Sequence, residues 1–118
     1  MIVGIGIDLV ELERMASILE KQERFPERVF TKNEHAHFLT LSDHRQIEFL
    51  AGRFAAKEAF GKAMGTGIGK EFSFKDLEVM PNEKNKPVAK STIFSGNIHL
   101  SISHSNEYAV AQVVLEKE

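Results

Sequence analysis

Asp43-His44-Arg45-Gln46-Ile47-Glu48-Phe49-Leu50-Ala51-Gly52-Arg53-Phe54-Ala55-Ala56-Lys57-Glu58-Ala59-Phe60-Gly61-Lys62-Ala63-Met64 is the longest periodic stretch of the chain. Ile47, Leu50, Ala51, Phe54 and Ala55 recur at the three- and four-residue steps that bring side chains to one helical face. The spacing predicts one long helix from Asp43 to Met64, with Gly65 as its C-cap. At 100° per residue, Glu58 lies about 20° from the direction of Ile47. A carboxylate therefore continues the apolar stripe. Buried alone it is costly, so it calls for a partner, a proton or a metal. Lys62 stands one turn further on the same side, and an ordinary Glu-to-Lys surface pair accounts for the same spacing.

Towards the N-terminus, Ile2 to Ile7 is an apolar run with two glycines and reads as a short buried strand ending at Asp8. Glu11 to Gln22 reads as a helix, with Leu12, Met15, Ala16 and Leu19 on one stripe. Pro26 disfavours helix at Phe25, so a break is expected there. Thr31-Lys32-Asn33-Glu34 carries the capping-box pattern of a short helix. Beyond the long helix, Gly65 to Gly69 is a loop. Phe72 and Phe74, then Leu77 and Val79, alternate with a skip that predicts a bulge. Pro81 to Pro87 is a polar turn. Ile98, Leu100 and Ile102 alternate with His99, Ser101 and Ser103 as a half-buried strand, and Tyr108 to Leu115 is another, joined by a hairpin at His104 to Glu107. A strand, then helices, then a run of strands is an α+β order with an antiparallel sheet.

The bulk properties agree with a small globular domain. The chain has 118 residues, a single-domain length, and 42% apolar residues. It has no cysteine, which excludes disulfides and thiolate metal sites and suits a reducing compartment. The first residues lack the basic start of a signal peptide, and no apolar run reaches the length of a membrane span, so the expected location is the cytoplasm. A net charge of −2 argues against a general nucleic-acid binder.

Several constellations could carry chemistry. Asp8 ends an apolar strand, where a plain helix-entry acid is the simpler reading. With Glu58 it would supply two oxygen ligands to Mg²⁺. Gly4-Ile5-Gly6 lacks the third glycine of a dinucleotide fingerprint, and Gly65 to Gly69 follows a helix without the P-loop lysine, so both nucleotide folds are rejected. His35 and His37 read as surface residues, while His104 sits at a strand end, where ligands often bind. Arg14, Lys21 and Arg28 recur every seven residues, with Arg24 between and Ile18 and Phe25 nearby. That surface suits an acidic protein partner or is simply a solvated face with paired charges.

Three segments, in order, resemble the holo-acyl-carrier-protein synthases, the small bacterial phosphopantetheinyl transferases. Gly4-Ile5-Gly6-Ile7-Asp8-Leu9-Val10 with Arg14 is similar to the first family motif. Phe49-Leu50-Ala51-Gly52-Arg53-Phe54-Ala55-Ala56-Lys57-Glu58-Ala59-Phe60, running on to Lys62-Ala63 and Gly65-Thr66-Gly67, is similar to the second and most specific. Leu100-Ser101-Ile102-Ser103-His104-Ser105 with Tyr108-Ala109 resembles the third.

The resemblance implies transfer of 4′-phosphopantetheine from coenzyme A to a serine of apo-acyl carrier protein in fatty acid biosynthesis. It implies Asp8 and Glu58 as ligands of Mg²⁺, with Lys62 on the phosphates. Arg45, Arg53, Lys62, Gly65, Pro87 and His104 would bind coenzyme A. Arg14, Ile18, Arg24, Phe25 and Arg28, presented by the first helix, would bind the carrier. A homotrimer with active sites between subunits is implied as well. The family's Gly-Lys-Pro is here Asn85-Lys86-Pro87, and asparagine tolerates the left-handed backbone that glycine would adopt. Two other functions fit parts of the pattern. A metal-dependent phosphoanhydride hydrolase would leave the basic helix without a purpose. A non-catalytic module for an acidic protein would leave Glu58 on the stripe unexplained.

Overall fold

The computed structural model describes residues 1–69 and 72–118. Strand β1 (Ile2–Glu11) leads through helices α1 (Leu12–Lys21), α2 (Phe25–Val29) and α3 (Lys32–Phe38) into the long helix α4 (Asp43–Met64). Strands β2 (Leu77–Pro81), β3 (Pro87–Ser91), β4 (Asn97–His104) and β5 (Tyr108–Glu116) follow. The α+β order is as the sequence predicts, but the strands form two antiparallel sheets, β1-β5-β4 and β2-β3. No helix among the described residues is long and apolar enough to cross a membrane.

The 22 residues of α4 make a rod about 33 Å long. It lies across the inner face of the three-stranded sheet, formed by Ala109, Ala111, Val113 and Leu115 of β5 with Gly4, Gly6, Asp8 and Val10 of β1. Its buried positions do not form a single stripe. Phe49 to Gly52 are buried in succession, because α1, α3, β1, β2, β4 and β5 all pack on this helix. Gly4 and Gly6 let β1 come unusually close: a Cβ at either position would stand 2.0 Å from a carbonyl oxygen of α4, that of Ala63 or Ala59. The small side chains on the helix at these two points complete the close fit.

Several expectations need correction. The first strand is ten residues long and only half buried; Ile5, Ile7 and Leu9 on its outer face are 62%, 58% and 62% exposed. The helical break falls at Gln22 to Arg24, and Pro26 sits in the first turn of α2, where its missing N–H costs nothing. Arg14, Lys21 and Arg28 therefore share no continuous helix. No bulge follows Phe74; a 3₁₀ turn, Phe74–Asp76, separates the two alternating pairs. His35 and His37 are half-buried against Phe38 and Phe49, not fully exposed. Asn85 does adopt the left-handed backbone, at φ 66°. Its loop is closed by Asn82, whose Oδ1 accepts from the N–H groups of Lys84 and Lys86, each at 2.9 Å.

Candidate active site

Side-chain parity along β1 aims Asp8 at the helix. Gly4, Gly6 and Val10 share its face, and the glycine contacts with Ala63 and Ala59 bring that face down onto the second half of α4. The Asp8 side chain is 17% exposed. Lys62 reaches it from the helix, its Nζ donating to Asp8 Oδ1 at 3.0 Å and to the Ile7 carbonyl at 2.9 Å. The ammonium thus bonds Asp8 instead of forming the i,i+4 pair with Glu58. Glu58 stands close by: burial, then the negative charge of Asp8, pushes its carboxyl pKa up, while Lys62 and Arg14 draw it down.

Two acids and a lysine therefore converge from β1 and α4, segments that no local pattern in the sequence connects. Burial, and then the neighbouring Asp8, disfavours the charged form of Glu58, and a bound cation would favour it. Carboxylate oxygens are hard donors suited to Mg²⁺. Among the described residues no cluster of three or more His, Asp or Glu could hold an ion. A cation on Asp8 and Glu58 would thus take its remaining ligands from phosphate and water. Gly65 ends α4 one turn beyond Lys62 at φ 81°, as the C-cap pattern predicts.

A second constellation lies elsewhere. Arg45, Arg53, Pro87 and His104 line an open groove of about 240 Å³ together with Phe49, Asn85 and Glu48. Glu48 is the acid of this groove, with His44 Nε2 at 3.4 Å and His104 Nδ1 at 3.5 Å from its Oε2, and Arg45 Nε at 3.8 Å from Oε1. The Arg53 guanidinium lies over the Phe49 ring, its Cζ 4.0 Å from the centroid. Burial lowers its pKa to about 10 against the raising effect of Glu34.

The groove does not include Lys62 or Gly65, which the resemblance grouped with it. The reason is the helical period. Arg53 and Lys62, nine residues apart, point about 180° away from each other. The two constellations occupy opposite faces of α4, so one chain does not wrap both around one ligand.

The basic residues also divide. Arg14 and Ile18 belong to α1, while Arg24, Phe25 and Arg28 belong to the cap and body of α2. Arg14, Arg24 and Arg28 are exposed, and Arg24 pairs with Glu27 at 3.2 Å. Phe25 packs on Phe54 with ring centroids 6.0 Å apart, and the Arg14 guanidinium lies over the Phe54 ring. The sequence reading missed Glu48, whose signal was only a polar position one turn after His44. It also missed the packing role of Gly4 and Gly6.

The chain is similar to known proteins over nearly its whole length. The family profile of the 4′-phosphopantetheinyl transferase superfamily matches residues 4–113. A holo-[acyl-carrier-protein] synthase of Geobacillus kaustophilus is 58% identical over 117 residues, covering 99% of this chain and 91% of the relative. One of Bacillus velezensis is 58% identical over 118 residues, covering 99% and 98%. The crystal structure of a Bacillus anthracis holo-(acyl-carrier-protein) synthase in complex with CoA (3′,5′-ADP) superimposes with a TM-score of 0.94 at 54% identity, covering 100% of this chain and 99% of that one. The Helicobacter pylori holo-[acyl-carrier-protein] synthase in complex with coenzyme A gives 0.82 at 33% identity, covering 95% and 99%.

Proposed function

The chain belongs to the 4′-phosphopantetheinyl transferase superfamily, and from that premise we infer that it moves the 4′-phosphopantetheine group of coenzyme A to a serine of apo-acyl carrier protein. The products are holo-acyl carrier protein and adenosine 3′,5′-bisphosphate, and the process served is fatty acid biosynthesis. The serine oxygen bonds to the phosphorus bearing the pantetheine arm, and the bond from that phosphorus to the bridging oxygen breaks. The observation that carries this reading is the meeting of Asp8, Glu58 and Lys62 where β1 crosses α4.

Asp8 and Glu58 would hold Mg²⁺. When bound, the ion supplies charge neutralisation and orientation of the diphosphate. Lys62, exposed beside Asp8, offers its ammonium to the departing phosphate; such contacts carry much of phosphoryl-transfer catalysis. Arg45, Arg53 and His104 present positive charge and hydrogen-bond donors to the nucleotide end of coenzyme A, with Pro87 shaping the groove wall. Gly65 leaves the end of α4 open to the substrate. Arg14 lies near enough to Glu58 to lower its pKa, so an acidic carrier seated on Arg14, Ile18, Arg24, Phe25 and Arg28 arrives next to the reactive phosphate.

The homotrimer that the family resemblance implies fits the same geometry. The two half-sites face opposite ways on α4, and only a neighbouring copy can bring the groove of one to the carboxylates of another. The outer face of β1 supplies apolar surface for that contact through Ile5, Ile7 and Leu9. Reaction in the cytoplasm suits a chain without cysteine.

Incubation with coenzyme A, Mg²⁺ and apo-acyl carrier protein tests the function. The expected result is a carrier heavier by one phosphopantetheine, with no gain in EDTA and recovery on adding excess Mg²⁺. Cleavage of coenzyme A with an unmodified carrier would overturn the assignment.

A further inference from the structure

Among the described residues, Glu34 and Lys57 are the two charged side chains in the core, each 0% exposed. Glu34 belongs to the capping box that opens α3, yet its carboxylate does far more than cap. Oε1 accepts from Lys57 Nζ at 2.6 Å and from the Thr31 N–H at 2.8 Å, while Oε2 accepts from the Val79 N–H of β2 at 2.7 Å. Lys57 also donates to the Val29 carbonyl at the end of α2, at 2.7 Å. One ion pair thus ties α2, α3, α4 and β2 together. Buried pairs are poor sources of net stability, because desolvation offsets their attraction. Their geometry is what distinguishes them, and here it leads to the ligand groove. Val79, whose N–H is held by Glu34, accepts on its own carbonyl oxygen from Arg53 Nε at 3.2 Å. With Nε committed and the guanidinium stacked on Phe49, Arg53 has one orientation in the groove.

We propose that the Glu34–Lys57 pair is a positioning device for Arg53: it clamps β2 at Val79, and the Val79 carbonyl then sets the guanidinium for the anionic end of the ligand. Neither Glu34 nor Lys57 touches the ligand. The effect on coenzyme A binding rests on the assignment of Arg53 to that substrate, whereas the effect on Arg53 itself does not.

The experiment separates the two. The variants are Glu34→Asp, which keeps the charge but lacks the reach to span Lys57 and Val79, and the volume-matched Glu34→Gln/Lys57→Met, which leaves no buried charge unpaired. The first readout is hydrogen exchange of the Arg53 Nε–H by NMR in the ligand-free protein, assigned with Arg53→Lys. It is expected to be protected in the parent and to exchange at least about tenfold faster in both variants. Retained protection, with stacking on Phe49 sufficient, would overturn the proposal. The second readout is Kd for coenzyme A in a cycle with Arg53→Ala. Each variant is expected to weaken binding about tenfold alone and to add nothing once Arg53 is gone. Additive losses would show that the pair acts elsewhere and overturn the proposal. Faster exchange together with an Arg53→Ala variant of unchanged Kd would uphold the positioning and remove Arg53 from coenzyme A binding.

Discussion

Gly6→Ala is a small substitution with a large expected effect. The new Cβ would stand 2.0 Å from the Ala59 carbonyl oxygen and 2.8 Å from the Ala63 nitrogen. Both are backbone atoms of α4, so no side chain can swing away. Contact at even 3.0 Å requires β1 to retreat by about 1 Å, and a gap of that size forfeits a quarter to a half of the dispersion attraction along the interface. Overpacking of this kind costs about 3 kcal/mol at the upper end of its range, offset by up to about 1 kcal/mol from the stiffer unfolded chain. The net loss of about 2 kcal/mol corresponds to a fall in Tm of about 8 °C for a chain of this length. Asp8 lies two residues further on the same face, so the retreat also draws it from Glu58. Displacements near 1 Å can reduce turnover by up to about a hundredfold, measured well below the melting range. Gly52→Ala is the control, since its Cβ would meet only the Ile102 Cγ2 at 3.2 Å, the movable end of a side chain, and alanine favours the helix. Calorimetry at matched protomer concentration and a single-turnover assay give the two numbers. If Gly6→Ala melts within about 2 °C of the parent, the tight strand–helix contact does not govern this fold.

Glu58→Gln is expected to lower the rate of carrier modification at least about a hundredfold, measured by mass spectrometry; a near-parental rate removes Glu58 from the mechanism. The same variant should melt higher than the parent in EDTA at neutral pH. The folded-state pKa of Glu58 is raised, so its favourable contribution is present at low pH and is lost as pH rises through that value; the difference should vanish on acidification below the ordinary carboxylate range. Arg14→Ala should weaken carrier binding by calorimetry, with a larger loss at low salt, and equal affinity there would exclude the docking role. Ile7→Glu on the exposed face of β1 should lower the mass seen by sedimentation and abolish turnover together, whereas an active monomer would show that a single chain completes its own site.

Much of this was legible along the chain because it depends on neighbours in sequence. The period of Asp43 to Met64, the cap at Gly65, the Thr31–Glu34 box and the alternation through β4 and β5 are local patterns with local causes. So is the positive φ of Asn85, which a short asparagine side chain tolerates. Asp8 and Glu58 were marked as a metal pair by residue type and by the family resemblance, but no local pattern in the chain connects them.

Their meeting required the tertiary structure. Gly4 and Gly6 read only as glycines within a short strand, too few for a dinucleotide fingerprint; their pressing on Ala63 and Ala59 showed that they bring β1 down to α4. Glu34 announced itself as a cap, and nothing in its spacing from Lys57 or Val79 foretold a buried junction of four elements. The division of the binding residues between opposite faces of α4 follows from helical geometry, but its meaning depends on which face carries the groove. Sequence dictates what each segment becomes, because backbone preference and periodicity act over a few residues. Which segments touch is a matter of burial and close packing among distant ones, and the candidate site exists only there.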